Sequence, residues 1–182
     1  MKKLLCSLGK SEIRDQEIII KNYPFEPSVV YKEKSIKATE IEAVCLDFTS
    51  PKLYLAEDVV FIAAEQKDNL KAFVDKNNIT LVPYNWNWDW ILEPFLDTEF
   101  SEENKKHTIE LLIKNGIAEN EIKSLRKEVE SQMLAYNFKT MLWEWVSLNL
   151  FDVLSAMRAK YNKTGFEDFY RRAVDIEKRT AK

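Results

Sequence analysis

The chain has 182 residues, 46% of them apolar and 31% charged, which is the composition of a folded protein with enough apolar side chains for a core. Its formal net charge is −3, with acids and bases interspersed, which argues against nucleic-acid binding because a phosphate backbone requires a concentrated basic surface. The 3 glycines are not clustered, so the chain has no phosphate-binding loop of the common kinds.

The cysteines and the apolar runs indicate a compartment. Cys6 and Cys45 have no recognisable disulfide or metal spacing, which favours a reducing environment. The apolar run in the opening MKKLLCSLGK is shorter than the ~7–15 residues of a secretion signal. The most apolar later region, MLWEWVSLNLFDVL, is too short to span a bilayer. We therefore expect a soluble cytoplasmic protein.

Residues from Glu17 to Glu65 show the pattern of short β-strands, of which about five can be placed. EIIIK is a β-branched run that is followed by the turn sequence NYPFEP. EAVCLDF alternates, which predicts one face formed by Val44, Leu46 and Phe48. LYL and VVFIAAE follow across short turns. The pattern then changes in QKDNLKAFVDKNN, which predicts a helix with an apolar stripe of Leu70, Phe73 and Val74.

This order of elements is similar to that of a known family. The run Ile36-x-Ala38-x-Glu40-Ile41-x-x-Val44, then Leu53-x-Leu55, Val60-x-Ile62 and the helix, resembles bacterial pleckstrin-homology-like domains over residues 17–78. The resemblance implies a bent sheet closed by a helix, in a family whose members bind lipid headgroups, peptides or partner domains. Lipid binding requires a basic loop rim. YKEKSIK offers a partial one, so weak membrane-surface binding stays open.

The sequence after Ser101 is helical in pattern. Ser101 is placed to cap a first helix that ends at Asn115-Gly116. A second helix, about residues 119–136, carries a stripe with spacings of three and four: Ile122, Leu125, Val129, Met133 and Tyr136. A third is predicted over about residues 138–160. The fourth opens at the capping box Thr164-x-x-Glu167 and ends near Arg179.

The predicted architecture is therefore α+β. Residues 1–80 form a small antiparallel strand-rich unit closed by a helix, and residues 101–182 form a bundle of about four helices packed on it. Residues 81–100 form a Trp-rich connection between them. The hairpin LLIKNGIAENEIKSLRKEVE could also be a DNA-binding helix-turn-helix, but an ordinary helical hairpin is favoured, because its second helix is acidic in balance and phosphates repel it.

The connection contains NWNWDW, which raises a question of function. Alternate residues from Thr80 onward predict an extended ribbon with one aromatic face, and a helical turn beginning near Asn87 is the rival interpretation. The tryptophans either form the joint between the two halves or leave a recognition pocket exposed. The pocket would consist of Trp86, Trp88, Asp89, Trp90 and Glu93.

Catalytic candidates are few. Glu103, His107 and Glu110 share one helix face and could touch a metal, but a solvated face is favoured because the chain has 1 histidine. Glu144 lies between Trp143 and Trp145, where apolar surroundings would raise its proton affinity and suit acid–base catalysis. A structural role for Glu144, like that expected for Asp152 and Arg158, is favoured.

The sequence predicts a non-enzymatic binding or protein-interaction module of bacterial type, with a protein or peptide as partner and with no metal or cofactor. The alternative is a hydrolase-like enzyme in which Glu144 and a second acid work in a cleft between the two halves. Nothing in the sequence indicates the oligomeric state.

Overall fold

A computed structural model of the chain describes residues 5–48, 50–96, 102–140 and 147–180, except for the side chains of residues 102, 139 and 140. The chain forms two compact units. The strand unit comprises Cys6–Tyr84, and the helical unit contains the described residues from Asn85 onward together with Leu5. Strands characterise the first unit and helices the second, which confirms the predicted α+β class.

The first sheet of the strand unit has three antiparallel strands in the order β1-β2-β3, with bounds Lys10–Ile13, Glu17–Tyr23 and Lys32–Lys37. β2 contains the predicted β-branched run, and its alternate residues Ile18 and Ile20 are buried with Ile36 of β3. The chain enters β1 through a glycine. Gly9 has φ +78°, and a Cβ there would lie 2.3 Å from the carbonyl oxygen of Lys21, so no other residue fits.

The second sheet has four strands in the order β6-β5-β4-β7, with bounds Ala43–Cys45 (β4), Lys52–Tyr54 (β5), Val59–Phe61 (β6) and Thr80–Leu81 (β7). β7 pairs parallel to β4, while the other pairs are antiparallel. A parallel return requires a crossover, which helix α1, Lys67–Asn77, supplies. The predicted stripe of Leu70, Phe73 and Val74 is buried, which confirms this helix.

Two details of the strand prediction are wrong. The alternation over EAVCLDF does not continue, because β4 ends at Cys45 and Phe48 is 49% exposed with φ +62°. The segment Lys32–Lys37 is a strand and not a loop, so its lysines do not form a loop rim. The outer edge of β3 is also partly closed, since the amides of Glu33 and Lys37 donate to the Tyr31 carbonyl and the Glu40 carboxylate.

A buried carboxylate ties the loop before β3 to the β5–β6 hairpin. Asp58 is 1% exposed, and its Oδ2 accepts hydrogen bonds from the Ser28 hydroxyl at 2.7 Å and the Val29 amide at 2.9 Å. Its Oδ1 accepts from the Val59 amide at 2.8 Å. Burial, reinforced by the charge of Asp58, raises the pKa of Tyr23 well above its ordinary value. These bonds make Asp58 the polar centre of the strand unit.

The helical unit contains α2 (Asn87–Leu92), α3 (Glu102–Lys114), α4 (Glu119–Thr140), α5 (Leu150–Lys160) and α6 (Lys163–Lys178). The α3–α4 turn forms as predicted: Gly116 has φ +79°, and the amides of Gly116 and Ile117 donate to the carbonyls of Ile113 and Leu112. The predicted α4 stripe is confirmed, since all five residues are buried: Ile122, Leu125, Val129, Met133 and Tyr136.

The single helix predicted over residues 138–160 is wrong. Residues 147–149 are not helical, and α5 begins at Leu150. Asn149 caps α5 by accepting a hydrogen bond from the Phe151 amide, while the Asp152 carboxylate accepts from the Asn149 amide. This capping box explains why α5 begins there. Similarly, α6 is capped by Asn162, whose Oδ1 accepts from the Gly165 amide at 2.9 Å, and not by Thr164.

Candidate interaction surface

The Trp-rich segment adopts both predicted conformations in succession. Thr80–Leu81 is the extended edge strand β7, whereas Asn87–Leu92 is the helix α2, so the ribbon prediction is wrong from Asn87 onward. The Trp90 amide donates to the Trp86 carbonyl at 3.0 Å. Since a helix turns once in 3.6 residues, Trp86 and Trp90 project to one side and Trp88 to another.

Trp88 anchors α2 inside the helical unit. Its side chain is 0% exposed, its Nε1 donates to the Ala173 carbonyl of α6 at 3.0 Å, and its ring centroid lies 6.2 Å from that of Phe169. A buried indole with a satisfied N–H contributes packing on all sides. Trp88 is therefore part of the core of the helical unit.

Asn87 binds the C-terminal end of α6. It is 0% exposed, and its Nδ2 donates to the carbonyls of Ile176 at 2.7 Å and Arg179 at 2.9 Å. Its Oδ1 accepts from Asn115 Nδ2 at 2.7 Å, and Asn85 also donates to the Arg179 carbonyl. The last carbonyls of a helix lack partners within that helix, and here amides from distant positions satisfy them. The sequence carries no signal for these partners.

Two side chains of α4 hold the other end of this segment. Arg126 donates through Nε to the Ile91 carbonyl at 3.1 Å and through Nη2 to the Trp90 carbonyl at 3.0 Å. Asn137 donates to the Phe95 carbonyl at 3.0 Å, at the end of the 3₁₀ turn Glu93–Phe95. Residues 85–96 are thus bonded to α6 at one end and to α4 at the other.

The five predicted binding residues differ in accessibility. Trp88 and Asp89 are buried, at 0% and 8% exposure. Trp86 is 37% exposed, and Trp90 and Glu93 are half-buried. Burial raises the pKa of Glu93, and a hydrogen bond with Thr108 and the charge of Arg126 oppose that rise. Trp86, Trp90 and Glu93 are therefore the predicted residues that keep accessible surface.

A second accessible group was not predicted from the sequence. It is the α4 face, which we define as Leu134 and Phe138. These side chains are one helical turn apart and are 52% and 75% exposed. Both lie outside the buried α4 stripe. Asn137, which binds the Phe95 carbonyl, lies about 60° from Leu134 around the helix axis, so the α4 face adjoins the side that holds the 3₁₀ turn. The signal in the sequence is two apolar residues that do not fit the stripe.

The structure describes most of the acidic and histidine side chains that were considered for catalysis, metal binding or structural pairing. Glu144 lies outside the described residues. Asp152 accepts hydrogen bonds from the Tyr136 hydroxyl and the Asn149 amide, both at 2.9 Å, which fits the predicted structural role. Glu103, His107 and Glu110 are exposed on α3. Within the described ranges, no group of three or more His, Cys, Asp or Glu side chains is placed to share a metal ion.

The stability of the helical unit should depend on pH through Asp152. Burial raises its pKa, against the hydrogen bonds from Asn149 and Tyr136. Because the pKa of Asp152 is higher in the folded state, its protonated carboxyl stabilises that state at pH values below the unfolded-state pKa of about 4. This contribution is lost as pH rises through the folded-state pKa. As pH rises from the unfolded-state pKa to the folded-state pKa, the urea midpoint of wild type should fall relative to that of Asp152→Asn, with Trp fluorescence as the readout. A difference independent of pH would contradict this assignment.

Comparison with known proteins does not assign the chain to a family. The amino-acid sequence matches no protein-family model and no curated protein sequence. Of the described helices, none combines the length and the apolar character needed to cross a membrane. The geometry of the helical unit is therefore the basis on which a function can be inferred.

Proposed function

We propose that the chain is a non-enzymatic protein-interaction module, and that its partner binds the α4 face. The observation that carries this is the exposure of Leu134 and Phe138, at 52% and 75%. Burying a Leu or Phe side chain is worth about 1.5–3 kcal/mol. Much of the apolar surface of Leu134 and Phe138 stays accessible among the described residues. A partner that covers this surface would gain part of that free energy.

The surroundings of the α4 face favour binding without rearrangement. The buried stripe of α4 and the bonds from Arg126 and Asn137 fix this helix against α2 and the 3₁₀ turn. A surface that is already ordered loses little conformational entropy when a partner binds. We propose that the accessible parts of Trp86, Trp90 and Glu93 extend the same binding region, because Trp is enriched at the energetic centres of interfaces.

The charges near the α4 face indicate the chemistry of the partner. Lys127 and Glu130 are both exposed on α4 and have opposite charges, so these two charges near the α4 face cancel. Apolar burial should then dominate the contact, and capture of the partner should be insensitive to salt. Neither Cys6 nor Cys45 forms a disulfide, which suits a cytoplasmic place of action. The pleckstrin-homology-like resemblance of residues 17–78 remains a prediction.

The double variant Leu134→Ser/Phe138→Ser should lose the partner and keep its stability. Both side chains are exposed, so the substitutions remove binding surface and leave the core intact. The measurement is quantitative mass spectrometry of proteins that the tagged chain captures from a lysate of its host, with urea midpoints for each variant. The matched control is Ile113→Ser, which removes an apolar side chain of 48% exposure from α3.

A protein captured by wild type and by Ile113→Ser, but not by the double variant, is the expected result. Equal capture by all three chains would contradict a role for the α4 face. Trp86→Ala and Glu93→Gln in the same experiment test the extension of the surface, and each should weaken capture less than the double variant does.

A further inference from the structure

The dipeptide Asn115-Gly116 at the end of α3 is chemically labile. An asparagine side chain can be attacked by the backbone nitrogen of the next residue, and glycine hinders that attack least because it has no side chain. Gly116 is exposed with φ +79°, and nothing lies within 4 Å of the position of a Cβ. Neighbouring atoms therefore do not crowd Gly116, whose nitrogen is the attacking group, and the Asn115 side chain is half-buried.

Hydrogen bonds engage both reacting groups in the folded helical unit. The Asn115 amide donates through Nδ2 to Asn87 Oδ1 at 2.7 Å, and the Gly116 nitrogen donates to the Ile113 carbonyl at 2.9 Å. Attack requires that the glycine nitrogen lose its proton and that the asparagine carbonyl carbon swing over it. Neither can happen while these two bonds persist, so reaction requires local opening of the turn.

We propose that Asn115 is a latent modification site, at which opening of the α3–α4 turn allows conversion to aspartate or isoaspartate. The Gly116 nitrogen, deprotonated by solvent base, forms a bond to Asn115 Cγ. The Cγ–Nδ2 bond breaks, and Nδ2 leaves as ammonia after taking a proton from water. Water then opens the cyclic imide at either carbonyl, and the net change is hydrolysis of an amide to a carboxylate and ammonium.

The products are incompatible with the native contacts of the turn. Asn87 Oδ1 accepts a hydrogen bond from Asn115, whereas a carboxylate at that position can only accept, so two oxygens would face each other. Asn87 is 0% exposed and binds the last carbonyls of α6, so the disturbance reaches the C-terminal end of that helix. Isoaspartate also lengthens the backbone within a tight turn. A chain modified in the open state therefore cannot rebuild the same packing.

The direct test compares conversion rates in the whole chain. Wild type is incubated in mildly alkaline buffer with and without urea, and peptide mapping by mass spectrometry follows Asn115. Conversion should be at least about tenfold slower in the folded chain than in urea, because it requires opening. Asn120, which precedes glutamate and is exposed, serves as the internal control and should convert slowly in both. Equal Asn115 rates in the two conditions would overturn the assignment.

Two substitutions test the steps separately. Gly116→Ala should abolish the rapid conversion in urea, and an unchanged rate there would exclude the cyclic imide route. Asn115→Asp should lower the urea midpoint of the helical unit more than Asn120→Asp does. Equal midpoints for these two aspartate variants would show that the contact with Asn87 is dispensable. If Asn115→Asp does not fold, the proposed incompatibility is supported and the wild-type rates still decide.

Discussion

Replacing Trp88 by alanine is expected to lower the free energy of unfolding of the helical unit by about 3–5 kcal/mol. The indole is 0% exposed, packs on Phe169, and donates to the Ala173 carbonyl. Its removal leaves a cavity between α2 and α6 and takes away the indole hydrogen bond to the Ala173 carbonyl. Trp88→Phe should cost less, since it keeps most of the packing and loses the N–H.

The measurement is urea unfolding followed by Trp fluorescence and far-ultraviolet circular dichroism. All 5 tryptophans of the chain fall within residues 85–182, so the fluorescence reports on that part of the chain. Trp86→Ala is the matched control, because it removes the same side chain from a site of 37% exposure. Similar midpoints for the Trp86 and Trp88 variants would refute the assignment of Trp88 to the core. Loss of partner capture in a stable Trp88→Ala chain would do the same.

Replacing Asp58 by alanine is expected to destabilise the strand unit by at least about 3 kcal/mol, since each buried donor that loses its acceptor costs about 1–3 kcal/mol. The donors affected include the Ser28 hydroxyl and the amides of Val29 and Val59. Asp58→Asn should cost less, because its amide oxygen has two lone pairs and can still accept from the two donors that Oδ2 serves, the Ser28 hydroxyl and the Val29 amide.

Hydrogen exchange measured by mass spectrometry is the suitable readout, because it reports on the strand unit separately. Amides in Lys52–Tyr54 and Val59–Phe61 should exchange faster in Asp58→Ala, whereas those in α4 serve as the reference. Asp75→Ala is the control, since Asp75 is exposed on α1. Unchanged protection of the β5–β6 hairpin would show that Asp58 does not hold the loop.

Elements with a strong local signal were predictable. The α4 stripe repeats at spacings of three and four, and α3 ends at a glycine that tolerates positive φ, so neither requires knowledge of distant residues. The error over residues 138–160 arose because an apolar pattern continued through a helix boundary. The boundary is set by the capping box of Asn149 and Asp152, whose local bonds outweigh the pattern.

The candidate site was predictable only in outline. The density of tryptophan in NWNWDW indicated an important segment, and α2 has that role in the helical unit. Which tryptophan is buried depends on whether the segment is a strand, with a period of two residues, or a helix, with a period of 3.6 residues. A run of six residues is too short to distinguish these two periods. Asn87 could not have been identified, because its acceptors at the C-terminal end of α6 and in the residue that follows it lie 89 and 92 residues away along the chain.

Composition, short-range periodicity and turn residues were sufficient to predict the class of fold and most of the helices. The tertiary structure alone decided which side chains became accessible. Leu134 and Phe138 are as apolar as Met133 and are exposed because the packing partners of α4 lie on another side. Exposure is a property of neighbours in space, and the order of residues along the chain encodes those neighbours only through the complete fold.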